Sequence, residues 1–275
     1  MAKRFFYEKY KDVVNSMSGP MTKSSFQETG KLTPQEFLES GDSLVQKFPA
    51  WEWAAGDEET QPFLPKNKKY LILRQCPCPQ RAPTMESAMP EGDAGDDWVD
   101  THVGHKVQKV VVEEDAEEED DWAASDDDDA AAAPKAQAAN SDLRLYDVTV
   151  VYDQYYASPR VYLFGYDANG QPLTKDQMMA DVYADNREKT VTVDPHPFLK
   201  APCISIHPCR HAETMRRIIE RAEVRMADEQ EEAGVPEAER IQFVFPTYLA
   251  LFVFLKFIGS VVPTIMYDIS VDLDM

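Results

Sequence analysis

The sequence predicts an α+β domain: an antiparallel sheet built before the long helices, with a long acidic segment interrupting it. Strand-like runs come first, "WEWA", "KKYLILRQ", "RLYDVTVVYD", "RVYLFGYD" and "KTVTVD", and the two strongest helical stretches follow them. The charge is concentrated in one place. Glu91 to Asp129 holds 17 acidic residues against Lys106 and Lys109, so −15 of the chain's −21 sits there and only −6 is left for the rest. That remainder is ordinary for a globular domain, and the low isoelectric point belongs to the insertion rather than the fold. A surface of this sign excludes a nucleic-acid partner, which requires basic patches.

Residues 1–19 read as an amphipathic helix. Ala2, Phe6, Tyr10, Val13, Val14 and Met17 form one stripe, flanked by Lys3, Arg4, Lys9 and Lys11, as in helices that lie on a membrane surface. Ser18, Gly19 and Pro20 end it. Residues 20–80 form the first part of the core. "LTPQEFLESGDSLVQKF" opens on a capping box, with Thr33 as cap, Pro34 at the first helical position and Glu36 reaching back. Two short strands follow. Residues 81–141, rich in Asp, Glu, Ala and Pro, have too little apolar surface to offset their ordering entropy and read as a flexible region.

Residues 142–275 form the second part of the core. Two antiparallel strands lead to "DANG", where Asn169-Gly170 signals a turn. Thr174 and Gln177 make a second capping box, with a short helix to about Tyr183. A strand in "KTVTVD" and the Pro-rich "PHPFLKAP" precede "CISIHPCRHAETM". From His211 a helix carries Met215, Ile218, Ile219, Ala222 and Met226 on one stripe, and residues 223–240 form a handle-like extension. Near the end, Phe243 to Leu255 runs 13 residues without a charged or strongly polar side chain and includes Pro246; Lys256 interrupts it. A membrane span needs about 20 apolar residues, so the stretch reads as a buried helix near Thr247 to Val261.

The chain shows no secretory signal. Four cysteines, Cys76, Cys78, Cys203 and Cys209, are too few for a disulfide scaffold of this length and suit a reducing, cytoplasmic setting. The chemistry concentrates at "CISIHPCRHAETM". Cys203, His207, Cys209 and His211 are zinc-type ligands, but three fall at alternate positions around Pro208, unlike the paired knuckles of structural zinc sites. No metal and no cofactor is expected. Cys209 can be read as a small buried hydrophobe or as a nucleophile. The second reading rests on its place before a helix, where unpaired N–H groups stabilise a thiolate, and on Arg210, His207 and His211 around it. The signature of a papain-like protease is absent, and a thiol that carries an acyl group needs only an accessible thiolate and donors for the intermediate.

"IHPCRHAETM", "YDVTVVYDQYYASPRVYLFGYDANGQPLT", "KTVTVDPHPF" and "LFVFLKFIGSVVPTIMYD" together resemble the autophagy-related protein three family. "FQETGKLTPQEFLESGDSLVQKFPAWEWA", "KKYLILRQCPCPQRA" and "DDWVDT" resemble its first part. The resemblance implies a ubiquitin-conjugating-enzyme-like fold. It implies that Cys209 takes a ubiquitin-like autophagy modifier as a thioester from its activating enzyme, which docks through the flexible region, and passes it to phosphatidylethanolamine. It also implies peripheral association with autophagic membranes and a ligase-like autophagy conjugate as partner. Ordinary ubiquitin carriers place His-Pro-Asn before the cysteine. Here His196-Pro197-Phe198 stands instead, and the resemblance gives the oxyanion-stabilising part to Thr190, which is also readable as a plain strand residue. His207 is the third candidate catalytic residue. Glu223 to Arg240 contains no aromatic residue, so the modifier-docking motif that some members carry in the handle is missing there; Trp98 and Trp122 are the bulky aromatics of the flexible region. Two alternatives stay open: a sister carrier of the autophagy-related protein ten type, acting on a protein target, and a catalytically silent adaptor of the same fold.

Overall fold

A computed structural model describes residues 10, 11, 13–82, 143–187 and 190–267. These all belong to one compact unit, formed by chain on either side of residues 91–141. Residues 1–9, expected to begin an amphipathic helix, and the acidic segment, residues 83–142, lie outside the described residues, as do Trp98 and Trp122.

Alternating apolar residues dictate the sheet. Strands β1 (Trp51–Ala54), β2 (Tyr70–Cys78), β3 (Arg144–Asp153), β4 (Ser158–Tyr166), β5 (Val191–Pro195) and β6 (Pro202–Ile206) pair antiparallel in the order β1-β2-β3-β4-β6-β5. In β3, Tyr146, Val148, Val150 and Tyr152 share one face by the two-residue period and all are buried. That face meets the helices, since Phe37 of α2 (Pro34–Lys47) packs against Tyr152 with ring centroids 5.6 Å apart. The opposite face carries a second cluster, Tyr70, Ile72, Val151, Tyr162 and Cys203, flanked by Phe164 and Phe198. The sheet is therefore apolar on both sides.

Helix α2 begins as its sequence requires: Thr33 accepts from the Glu36 N–H, and the Glu36 carboxylate accepts from the Thr33 N–H at 2.8 Å. The second capping box, Thr174 with Gln177, is also present, but its helix α3 (Lys175–Met179) stops well short of Tyr183 and passes into a turn and a 3-10 segment, Ala184–Asn186. The late apolar run forms α5 (Ala250–Val261), with eight buried residues. Among the described residues no helix is long and apolar enough to cross a membrane. α4 (His211–Glu232) continues as one helix into the expected handle, but only its first three turns bury side chains; Met215 and Ile219 are buried, whereas Met226 is exposed.

One boundary is corrected: Arg81 and Ala82, expected to open the acidic segment, belong to the core. Arg81 pairs with the buried Asp181, which Arg144 also reaches at 2.9 Å and to which Tyr146 donates at 2.5 Å. Both stems of the insertion are thus fastened to one carboxylate.

Candidate active site

Strand β6 delivers the chain to the site. It ends at Ile206; His207 leaves it, and Pro208–Arg210 form a single 3-10 turn ahead of α4. Pro208, buried, fits the first position of that turn because its missing N–H would have no partner there. His207 caps the turn. Its Nδ1 accepts from the Cys209 N–H at 3.3 Å, and its own N–H donates to Thr190 O at 2.7 Å. Cys209 is exposed, while Cys76, Cys78 and Cys203 are buried. Burial pushes those three thiols up to about 12, 11 and 12, so none supplies thiolate near neutrality. Cys209 alone of the four is open to a partner.

The turn is clamped from both sides. His211, one turn on, is buried and its Nδ1 lies 2.9 Å from Pro159 O of β4, with Phe254 and Phe257 of α5 against its ring. Burial holds its imidazole down at about 4, so it is neutral and structural. From the other side, α1 (Phe26–Thr29) ends in Gly30, whose φ of 66° suits glycine. A Cβ there would come 2.0 Å from Ala212 O. Only glycine lets this turn rest on the first turn of α4, three residues past Cys209.

Thr190 is brought to the site, but not as a strand residue. β5 starts at Val191, and Thr190 closes the preceding turn by donating its N–H to Asn186 O. Its hydroxyl donates to Asn186 Oδ1 at 3.0 Å, so in this conformation it points to a neighbour and not to an open position beside Cys209. Asn186 has no motif to mark it in the sequence; the fold alone places an asparagine here. His207 is half-buried. Burial, then the nearby Arg160 and Lys11 cations, lower its pKa and keep the Nδ1 lone pair available.

His196 of "PHPF" does not join them. It is buried on the far face of the sheet, with Nε2 3.1 Å from Thr149 Oγ1, and its Nδ1 accepts from the Phe198 and Leu199 N–H groups. Of the four zinc-type side chains, Cys203 and His211 are committed to the core and His207 to the turn. Among the described residues no three His, Cys, Asp or Glu side chains are grouped to hold a metal ion.

A residue that the sequence places near lipid headgroups proves to be at the site. Lys11 is 5% exposed, its Nζ 3.3 Å from Asp153 Oδ2 and over the rings of Tyr155 and Tyr156. The correction has a plain cause: amphipathic patterning tells which residues share a face, not which face meets the protein. A buried carboxylate at the end of β3 outbids solvent for the ammonium.

The fold, an antiparallel sheet backed by helices with an exposed cysteine in the turn before a helix, and a site of thiol, cap and clamp define a ubiquitin-carrier-type conjugating enzyme. Residues 36–269 match the family described as "Autophagocytosis associated protein, active-site domain". The chain is 33% identical to autophagy-related protein 3 of Arabidopsis thaliana over 98% of its own length and 96% of the relative's. It is 33% identical to that of Saccharomyces cerevisiae (92% and 95%) and 37% identical to that of Candida glabrata (91% and 94%). The chain belongs to the autophagy-related protein 3 family.

Proposed function

We propose that the protein receives a ubiquitin-like autophagy modifier from its activating enzyme as a thioester on Cys209 and transfers it to phosphatidylethanolamine. The observation that carries this is the single exposed cysteine at the head of α4, held by His207 and cleared of competing thiols by their burial. In loading, the Cys209 thiolate replaces the activating enzyme's thiol on the modifier's terminal carbonyl. In transfer, the headgroup nitrogen attacks that carbonyl carbon. A C–N bond forms, the C–S bond breaks, the thiolate leaves with the electron pair, and the amine gives up a proton to solvent.

His207 fixes the direction of the Cys209 backbone, and Thr190 stabilises the oxyanion once its hydroxyl turns from Asn186. The acidic segment docks the activating enzyme, and a ligase-like autophagy conjugate is a further partner. The outward-facing Tyr10, Val13 and Met17 bring the protein from the cytoplasm to the bilayer surface.

Incubation with activating enzyme, modifier and ATP tests the core of this reading. A thiol-sensitive adduct should form, vanish in Cys209→Ala, survive in Cys203→Ala and become a thiol-resistant oxyester in Cys209→Ser. Charged protein should then yield modifier–lipid on vesicles containing phosphatidylethanolamine. An adduct that outlasts loss of Cys209 defeats the assignment, and discharge only onto a protein lysine selects the sister-carrier reading.

A further inference from the structure

The loop between β3 and β4 carries a side-chain cage that the transfer chemistry leaves unexplained. Asp153, at the end of β3, has a side chain only 8% exposed. Its Oδ1 accepts the backbone N–H bonds of Tyr155 (3.1 Å) and Tyr156 (3.2 Å), so the carboxylate is set by the two residues whose rings accompany it. Those rings meet edge to face, centroids 5.0 Å apart. Lys11 Nζ lies 3.3 Å from Asp153 Oδ2 and 5.6 and 5.1 Å from the two ring centroids. One anchored carboxylate oxygen and two aromatic faces are the chemistry that recognises an ammonium. The cage also borders the reaction centre. Tyr156 meets the His207 ring at 5.5 Å, and His207 holds the Cys209 N–H.

The segment that supplies Lys11 is seated in an unusual way. A helix that stabilises a core buries its apolar stripe and exposes its lysines. Here Tyr10, Val13 and Met17 are 57%, 55% and 82% exposed, while the lysine is buried. Another tie from this segment to the sheet loop is also polar, from Gln154 Nε2 to Asn15 O at 2.9 Å. Such a contact can be exchanged if an equivalent cation takes its place. With Lys11 withdrawn, Asp153 would keep Arg160, which lies 3.6 Å from it and also pairs with Asp194 at 2.8 Å. Asp153 would then have lost the nearer of these two cations, and a buried carboxylate so depleted favours a replacement.

We propose that Asp153, Tyr155 and Tyr156 form the subsite for the acceptor's primary ammonium, the headgroup of an ethanolamine phospholipid, and that Lys11 fills it until the outward stripe engages a bilayer. The proposal rests on the aminolipid reading above. Lysine and ethanolamine present the same group, a primary ammonium on a methylene chain. The membrane that carries the acceptor also offers the apolar surface that draws the competitor's helix away. The subsite delivers the headgroup as an ammonium; one proton goes to solvent before the nitrogen attacks the thioester.

The test uses the full chain charged with modifier on Cys209, freed of ATP and discharged by free ethanolamine. Rates are normalised to thioester present at time zero, which also reports that each variant is folded. Lys11→Met should lower the half-saturating ethanolamine concentration at least fivefold, and Lys11→Arg, which keeps a cation in place, should not. Adding Asp153→Asn or Tyr155→Leu to Lys11→Met should cancel the gain. On phosphatidylethanolamine vesicles Lys11→Met should still give modifier–lipid. The proposal is overturned if Lys11→Met discharges with unchanged or weaker ethanolamine dependence, which would make Lys11 a structural pin. It is equally overturned if adding Asp153→Asn to Lys11→Met leaves the half-saturating ethanolamine concentration as low as in Lys11→Met alone. Failure of the wild type to form any lipid conjugate, though charged, would instead sink the aminolipid reading itself.

Discussion

His207 accepts the Cys209 N–H through Nδ1, a bond that a protonated ring cannot make. Because burial lowers the pKa of this imidazole, the cap should survive to pH values below the ordinary histidine range, near 6.5. His207→Ala removes it. Loss of a cap of this kind costs about 1 kcal/mol, so loading should slow roughly fivefold, and His207→Asn, which can still accept, should recover most of the rate. Thr190→Ala makes the complementary experiment. If the hydroxyl leaves Asn186 to meet the oxyanion, transfer should slow about tenfold, below the 2.7–4 kcal/mol of a dedicated donor, with loading little affected. Equal slowing of both steps would return Thr190 to its structural bond with Asn186.

At the scale of the elements, α4 is positioned by close contacts that tolerate little change. Gly30→Ala would drive a methyl group into Ala212 O, so α1 and α4 must separate. We expect a loss of about 1–3 kcal/mol, seen as a lower melting temperature, and a displaced Cys209 seen as slower alkylation. The two buried histidines make the sheet and α4 sensitive to acid. His196 and His211 are both held at about 4 by burial, against 6.5 when unfolded. The unfolded chain therefore binds more protons between these values, and stability falls as pH drops through 6.5 toward 4. Each should contribute on the order of 2 kcal/mol of loss between pH 7.5 and 5, measurable as a falling urea midpoint. A midpoint flat over this range would mean that the rings are hydrated or charged in the fold.

For the whole molecule, the insertion and the core should prove separable when cut at the right place. Arg81 and Arg144 both reach Asp181, whose backbone carbonyl also accepts from Thr264. Replacing residues 83–142 with a short linker should leave a cooperative fold while weakening charging by the activating enzyme. A cut that also takes Arg81 should cost stability as well, since stripping one partner from a buried pair costs about 3–5 kcal/mol. Val13→Asp with Met17→Asp asks a separate question. Both side chains are exposed, so melting should be unchanged, whereas vesicle binding and lipid conjugation should fall together. Persistence of vesicle binding would place the membrane contact elsewhere.

Short-range chemistry determined what the sequence alone could tell. Thr33 with Glu36 and Thr174 with Gln177 are local hydrogen-bond systems, and both formed as their spacing required. Runs of β-branched and aromatic residues marked β3 and β4, and the apolar run ending at Leu255 marked α5, because such runs are visible in consecutive residues. The His-Pro-Cys turn was legible for the same reason. Partners distant in the chain were not. Lys11 meets Asp153 142 residues away, Gly30 meets Ala212 across the α1–α4 contact, and Asn186 meets Thr190 only because the turn before β5 folds back. Periodicity shows that side chains share a face but not what that face meets. Only the tertiary structure could put a lysine read as lipid-facing into a carboxylate and aromatic cage beside the cysteine, because that choice depends on charges and surfaces assembled from both halves of the chain.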